Sequence, residues 1–264
     1  MQQISQSPRE KSFVKDPFQF YRQLRAYGKF VYWTDLDLKV TTDYEVVNRV
    51  LRDRTFVREP PNGFFSNVPE RLIPFYKNES NSMLEREPPV HTKLKNAAMT
   101  DFSKNNLKRF EPMIKQLCSQ ILKNINENQF DLISEFSQKF PVLVISNLIG
   151  VPDSMSKQLV KWSNDMVAMY QSRRSKEIET RALKATSEFS QYLKQVVKEK
   201  QTALKDDIIS NLIAIEDEGS KLTEQELIST VILLLNAGHE ATVHTISNGL
   251  KSMMESQFSF CDMS

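Results

Sequence analysis

The sequence predicts a mainly α-helical fold with a small β-hairpin near its start. Only 6 of the 264 residues are glycine, whereas average usage would give roughly 18, and sheets rich in tight turns need more. Residues that cap helices precede apolar segments at several points. The longest such segment, residues 223–255, starts at a Thr-x-x-Glu capping box made by Thr223 and Glu226.

Residues 16–56 predict a helix, a hairpin and a second helix. Asp16 is a capping residue, Pro17 suits the first helical position, and Gly28 ends the helix. The stretches "KFVYW" and "LKVTT" flank a polar turn and indicate two antiparallel strands. Asp43 then caps the helix "YEVVNRVLRD".

Residues 56–89 predict a long loop with at most one helical turn, because six prolines interrupt any periodic pattern. Helical spacing resumes at residue 90. The predicted helices cover 90–103, 106–126, 130–149, 153–171, 175–202, 206–217 and 223–255. The breaks between them fall at Asn126-Glu127-Asn128, Gly150-Val151-Pro152 and Glu218-Gly219-Ser220. The charged segment from Ser172 to Lys205 is interpreted as a solvated helix face.

Composition excludes several classes of protein. The 35 Lys and Arg nearly balance the 33 Asp and Glu, so the basic excess typical of a nucleic-acid binder is absent. Cys118 and Cys261 form no disulfide framework, which favours a reduced, cytoplasmic protein. We expect no signal peptide and no membrane span, since runs such as Val231–Leu235 are far shorter than the roughly 20 residues that a bilayer needs.

The stretch "LLLNAGHEATVHT" places polar residues and a glycine inside an apolar helix. It is not a zinc site, because His239 and His244 are five residues apart, about 140° around a helix. Two interpretations stay open. Gly238 allows a crossing helix to approach, or it leaves room for a flat, bulky ligand beside which Glu240 and Thr242 move protons.

A second candidate site lies in "EREPPVHTKLKNAAMTDF". His91 and Lys95 are four residues apart on the first turns of a helix and therefore share one face. Such a pair suits an anionic group, for example the carboxylate of a bound cofactor. An ordinary pair of surface side chains has the same spacing.

Taken together, these segments resemble the cytochrome P450 superfamily of heme-thiolate monooxygenases, in its bacterial-type branch. "REPPVHTKLKNAAMTDFS" is similar to the family's C-helix, and "LIGVPDSMSKQLVKWSNDM" to the stretch that joins helices E and F. The segment from "DDIISNL" to "HTISNGL" is similar to helix H and the long I helix, with its Ala-Gly-x-Glu/Asp-Thr motif. The resemblance is collinear from about residue 13 to residue 254.

The resemblance implies the N-terminal part of the cytochrome P450 fold, helices A to I, as one incomplete domain over residues 1–264. Residues 16–56 would be helix A, the hairpin and helix B; residues 57–89 the B–C loop; residues 90–255 helices C to I. Residues 256–264 do not match the family pattern. The implied cofactor is heme b, the implied partners are a ferredoxin- or flavodoxin-type electron donor and a small organic substrate, and the implied reaction is monooxygenation.

The resemblance also assigns roles to the first candidate residues. His91 and Lys95 would bind a heme propionate, although the family usually has arginine where Lys95 stands. Ala237 and Gly238 would lie over the distal heme face, where the helix locally widens.

On the same helix, Glu240 would be the acid of the family's acid–alcohol pair. Ala241 occupies the alcohol position, and Thr242 follows it. A Glu-Ala arrangement of this kind implies that a substrate hydroxyl and ordered water take the place of the alcohol.

The thiolate loop and the Glu-x-x-Arg motif of the family do not occur in these 264 residues. Cys118 follows the apolar spacing of a core residue, and Cys261 has no glycine-rich loop before it, so neither is interpreted as an iron ligand. We therefore expect a truncated or split gene product, inactive alone, with an exposed apolar face from Leu233 to Val243, low solubility and no thiolate-type spectrum. The alternative is a non-catalytic remnant or a helical binding protein.

Overall fold

The computed structural model describes residues 1–60, 62–125, 129–171, 174–215 and 221–256. The predicted breaks at 126–128 and 218–220, and the non-matching tail beyond residue 256 with Cys261, lie outside these ranges. The chain divides into two compact units, Met1–Val57 and Arg58–Ser264.

The first unit contains a three-stranded sheet and three helices. The strands are β1 (Gln3–Ile4), β2 (Val31–Trp33) and β3 (Leu38–Val40); the helices are α1 (Lys11–Lys15), α2 (Pro17–Ala26) and α3 (Tyr44–Arg52). β2 and β3 form the predicted antiparallel hairpin, and β1 adds a parallel neighbour that the sequence did not predict. Phe20 and Leu24 of α2 pack against Val31 and Trp33 of β2.

The caps predicted in this unit are present. The Asp16 carboxylate accepts a hydrogen bond from the Phe18 N–H at 3.0 Å, and the Asp43 carboxylate accepts one from the Val46 N–H at 3.0 Å. Each bond satisfies one of the N–H groups that the first turn of a helix leaves without a partner.

The second unit is helical, and α12 is its longest helix. Its helices are α4 (Ile73–Glu79), α5 (Val90–Met99), α6 (Lys104–Lys108), α7 (Glu111–Lys123), α8 (Lys139–Ile149), α9 (Ser156–Val167), α10 (Lys176–Thr202), α11 (Ile208–Ile213) and α12 (Glu224–Glu255). Short 3-10 turns lie at Glu70–Leu72, Met83–Glu85, Asp153–Met155 and Ala168–Tyr170, and a π-helical turn at Ile133–Ser137. α12 packs against α8, and α10 packs against α9.

Several boundaries differ from the prediction. The predicted loop at 56–89 contains α4, which brings Phe75 into the core at 2% exposure. The predicted helix 106–126 is two helices, because Pro112 lacks an N–H and starts α7 as a new helix. Cys118 on α7 is half-buried rather than a full core residue.

α10 also differs from the prediction of a solvated face. Most of its charged residues face solvent, but Glu179 and Lys200 are buried. The other side of the helix is buried and includes Ala182, Ala185, Phe189, Leu193 and Val197. Charged residues on one face therefore concealed an amphipathic helix that belongs to the core.

The start of α12 is the predicted capping box. The Glu226 N–H donates to Thr223 Oγ1 at 3.2 Å, and the Thr223 N–H donates to Glu226 Oε2 at 2.8 Å. From Leu227 to Ile232 every side chain is buried, so this part of the helix runs through the core as predicted. None of the helices in the described ranges is long and apolar enough to cross a bilayer.

Candidate functional site

The first turn of α5 and the middle of α12 meet at an open cavity of about 510 Å³, which we call the His91 cavity. His91 is half-buried there and lies opposite Leu233, Leu234 and Ala237 of α12. The two candidate segments of the sequence therefore line a single cavity with an aliphatic wall and an imidazole.

Two arginines that the sequence did not single out also line the His91 cavity. Arg58 Nη2 lies 2.7 Å from Glu85 Oε1, and Arg86 Nε lies 3.1 Å from Glu59 Oε1. Each arginine lies two residues before a proline of the predicted loop, and no pattern in the sequence marked either one as a site residue. The imidazole and the two guanidinium groups are suited to an anion, and the apolar wall to a flat hydrophobic body. Both arginines already form ion pairs with glutamates, and the Glu87 carboxylate also lines the cavity.

Lys95 does not share the environment of His91. Its side chain is exposed and lines no described part of the cavity, although it is four residues from His91 on α5. Lys93 is the lysine of α5 that contacts α12: its Nζ lies 2.9 Å from Glu226 Oε2. Burial alone would raise the pKa of Glu226, but the hydrogen bonds from Lys93 and Thr223 hold this pKa below its ordinary value.

The two small residues of α12 face different neighbours. Ala237 is exposed and lines the His91 cavity, and Ala241 is exposed one turn further along. A Cβ built on Gly238 would lie 3.3 Å from Cδ1 and Cγ1 of Ile145 on α8. The contact with Ile145 supports the interpretation that this glycine lets a crossing helix approach. Space for a flat ligand beside Gly238 stays a prediction.

Glu240 and Thr242 are not among the residues that line the His91 cavity. Glu240 is half-buried, and Thr242 is exposed with its hydroxyl donating to the Gly238 carbonyl at 2.8 Å. α12 is a continuous α-helix from Glu224 to Glu255, so the expected local widening at Ala237-Gly238 is not present.

The histidines of α12 lie on different sides of the helix, as their spacing predicts. His239 is 4% exposed and neither ring nitrogen has a hydrogen-bond partner, whereas His244 is exposed. Burial lowers the pKa of His239, and the nearby Glu240 carboxylate offsets only part of that effect.

The exposed side of α12 is narrower than predicted. Leu235 and Val243 are buried, and Leu233 and Leu234 are half-buried. The exposed positions between Leu233 and Thr245 carry small or polar side chains, namely Ala237, Ala241, Thr242, His244 and Thr245. The prediction of an exposed apolar face from Leu233 to Val243 therefore overstated how many large apolar side chains are exposed.

A second, smaller cavity of about 200 Å³ adjoins the first, and we call it the Glu79 cavity. Leu84, Leu233 and Ala237 line both cavities. Sequence reasoning missed Asn78 and Glu79 of this cavity because α4, which carries them, was predicted as loop.

Glu79 is 5% exposed and lies at the C-terminal end of α4. Its Oε2 accepts a hydrogen bond from the Tyr170 hydroxyl at 2.7 Å, and its Oε1 accepts one from Asn78 Nδ2 at 3.4 Å. Burial raises the pKa of Glu79, although both hydrogen bonds favour the ionised form. The same carboxylate, together with burial, raises the pKa of Tyr170.

The second unit is a helical structure around the long helix α12. The exposed side of this helix carries Ala237 and Ala241, and Ala237 lines the His91 cavity. Residues 9–258 match the family model of cytochrome P450. This chain belongs to the cytochrome P450 family, and the family implies heme as cofactor.

Bacterial relatives support this assignment. Cytochrome P450(BM-1) of Priestia megaterium is 31% identical over 262 residues, which cover 95% of this chain and 62% of the relative. The structure of P450BioI with an acyl carrier protein that bears hexadec-9Z-enoic acid has a TM-score of 0.84 and 28% identity, covering 93% of this chain and 63% of that one. CYP109E1 from Bacillus megaterium with testosterone has a TM-score of 0.80 and 26% identity, covering 94% and 63%.

The chain thus spans a little over three fifths of the length of these relatives.

Proposed function

We propose that this chain forms the distal part of a heme-dependent monooxygenase, in which residues 1–264 belong to one incomplete cytochrome P450 domain. The observation that carries the proposal is the His91 cavity, where His91 and Ala237, far apart in the sequence, line the same space. Family membership supplies the cofactor class. When bound, heme would supply activation of dioxygen for insertion of one oxygen atom into an organic substrate.

The residues of the His91 cavity fit a heme edge. A porphyrin is flat and apolar with carboxylates at its rim, and the cavity combines Leu233, Leu234 and Ala237 with His91. His91 would donate a hydrogen bond to a propionate, and Arg58 and Arg86 would add positive charge beside it. Lys95, one turn along α5, would contribute only long-range attraction in its exposed position.

On α12, Ala237 and Ala241 would present a surface without bulky side chains to the bound cofactor, with the backbone at Gly238 beside it. Glu240 is half-buried close to this surface, and its carboxyl would carry protons toward it. The Thr242 hydroxyl donates to the Gly238 carbonyl and would supply an acceptor oxygen for a water. Electrons would come from a ferredoxin- or flavodoxin-type donor.

The proposal is tested by titrating hemin into the purified chain while its Soret absorbance and tryptophan fluorescence are followed. We expect His91→Ala to weaken hemin binding about tenfold, the loss typical of a hydrogen bond to a charged group. His244→Ala is the matched control, because this exposed histidine of α12 does not line the cavity. Equal affinities for the two variants would contradict the proposed site.

In the family, monooxygenase activity needs a cysteine thiolate that binds the heme iron. The reduced-CO spectrum of the hemin-loaded chain is therefore recorded with and without an added polypeptide that carries the family's thiolate loop. A thiolate-type band only with the added polypeptide is the expected result. A band from the chain alone would overturn the view that its two cysteines are not iron ligands.

A further inference from the structure

We propose that Glu79, held by Tyr170, determines substrate specificity by binding a hydrogen-bond-donating group of the substrate, a hydroxyl or a protonated amine. This inference rests on the proposed function, since it makes the Glu79 cavity the place where part of the substrate lies. The observation is a buried carboxylate on the wall of a cavity that reaches Ala237.

The surroundings of Glu79 do not neutralise it. Both hydrogen bonds to its carboxylate come from uncharged groups, the Tyr170 hydroxyl and the Asn78 amide. Within the described ranges Glu79 takes part in no ion pair. Arg58 and Glu85 are the charged residues whose fields reach this pair, and they act in opposite directions on Tyr170.

The position of Glu79 on its helix adds to the free-energy cost of burying its carboxylate. It is the last residue of α4, where the carbonyl ends of the helix carry partial negative charge and favour a cation rather than a carboxylate. A buried anion at the wrong end of a helix is unfavourable for folding, so its presence points to a role in binding.

The rest of the wall is suited to holding Glu79 in a fixed orientation. Asn78 Oδ1 accepts a hydrogen bond from Ser229 Oγ of α12 at 3.0 Å, and Ser229 is fully buried. The Tyr170 hydroxyl, from the turn after α9, and the Asn78 amide, which is itself bound to Ser229 of α12, therefore hold the carboxylate. The side chains that line the same cavity and cannot donate a hydrogen bond are Leu84, Val167, Ile232, Leu233 and Ala237.

A ligand in this cavity would meet one acidic group, the polar side chains of Ser82 and Asn236, and an apolar wall. A hydroxyl or ammonium group would donate to Glu79, while the attached hydrocarbon would pack on the leucines toward Ala237. An acceptor-only group such as an ether or ketone would give the carboxylate no donor beyond Tyr170 and Asn78, and a second carboxylate would be repelled.

The test uses four ligands of matched length: octanol, octylammonium, methyl octyl ether and octanoate. Their binding to the full chain is measured by ligand-observed NMR. We expect octanol and octylammonium to bind about tenfold more tightly than the ether and octanoate, because each can donate to an ionised acceptor. Equal binding of octanol and the ether would overturn the inference.

Two variants separate charge from hydrogen bonding. Glu79→Gln keeps an acceptor oxygen but removes the charge, so it should weaken octylammonium about tenfold and octanol less than threefold. Tyr170→Phe frees Glu79 Oε2, so both donors should bind at least as tightly as before. Glu188→Gln is the control, because the Glu188 carboxylate accepts a hydrogen bond from Trp162 at 2.9 Å and does not line the cavity.

Thermal unfolding of every variant establishes that the differences come from folded protein. An unchanged ligand order in Glu79→Gln would overturn the inference, and so would a loss of equal size in Glu188→Gln. Hemin titration of the unsubstituted chain distinguishes the two proposals. Normal hemin binding by this chain together with no preference for the donor ligands would contradict this inference alone, whereas equal hemin affinities of His91→Ala and His244→Ala would contradict the proposed function.

Discussion

Substitution of Gly150 by alanine should lower the free energy of unfolding of the second unit by several kcal/mol. Gly150 ends α8 with φ +80° and ψ 36°, a left-handed conformation. A Cβ at this position would lie 2.3 Å from Cγ and Oδ2 of Asp207. The Asp207 side chain would have to move, because a Cβ and a neighbouring side-chain atom that is not bonded to it do not approach within 3.0 Å.

The magnitude follows from what Asp207 does. Its Oδ2 forms an ion pair with Lys200, its Oδ1 accepts the Ser210 N–H at 2.9 Å as the cap of α11, and both charged residues are less than 10% exposed. Disruption of a buried ion pair costs about 3–5 kcal/mol, loss of a cap about 1 kcal/mol, and alanine in a left-handed conformation about 1 kcal/mol. Gly150→Ala should therefore reduce the free energy of unfolding by roughly 5–7 kcal/mol.

Urea denaturation followed by circular dichroism measures this loss. Gly249→Ala is the matched control: this glycine lies inside α12 with no atom within 4 Å of an added Cβ, so the substitution should stabilise by about 1 kcal/mol. The Cβ of Asp207 would also lie 2.7 Å from the added Cβ. In an Asp207→Gly background, which removes that atom too, Gly150→Ala should cost only the backbone strain of about 1 kcal/mol. A loss below about 2 kcal/mol in the wild-type background, or an equal loss in both backgrounds, would refute the reasoning.

Three further predictions concern the helix that carries the candidate site. Gly238→Ala should destabilise by about 1 kcal/mol, because crowding of Ile145 outweighs the gain in helix propensity; in an Ile145→Ala background the same change should become neutral or stabilising, and calorimetry of the four variants checks the sign. Lys93→Met should cost about 1–2 kcal/mol in urea denaturation by removing the partly buried ion pair with Glu226, and a loss that persists equally in a Glu226→Gln background would contradict this origin. Because the pKa of His239 is lowered in the folded state, the unfolded chain binds a proton that the folded chain does not once the pH falls below about 6.5. Below that pH the free energy of unfolding should decrease by up to about 1.4 kcal/mol per pH unit more than in His239→Phe. Parallel profiles of this free energy against pH for the two proteins would be evidence against a contribution from His239.

Features that depend on neighbouring residues were predicted from the sequence. Asp16, Asp43 and Thr223 each accept a hydrogen bond from an N–H two or three residues later, as their residue types and positions indicated. Such contacts are encoded within a few residues, so no tertiary information is needed to find them. The order of the family motifs along the chain also indicated the cytochrome P450 family, and the family match over residues 9–258 confirms it.

Features that depend on which elements meet in space were decided only by the tertiary structure. The sequence left two reasons open for Gly238, and only the structure shows that a Cβ there would lie 3.3 Å from Ile145 on α8. The sequence offered Lys95 as the partner of His91, but the turn of α5 directs Lys93 to Glu226 and leaves Lys95 exposed.

The Glu79 cavity is the clearest case of what the sequence by itself did not determine. Proline content marked residues 56–89 as loop, yet packing in the core stabilises α4 there and buries Glu79. Tertiary packing can override local propensity because burial of side chains such as Phe75 contributes more free energy than the preferences of a short helix. The sequence therefore determined the helical class, the caps and the family, while long-range packing decided the walls of the two cavities.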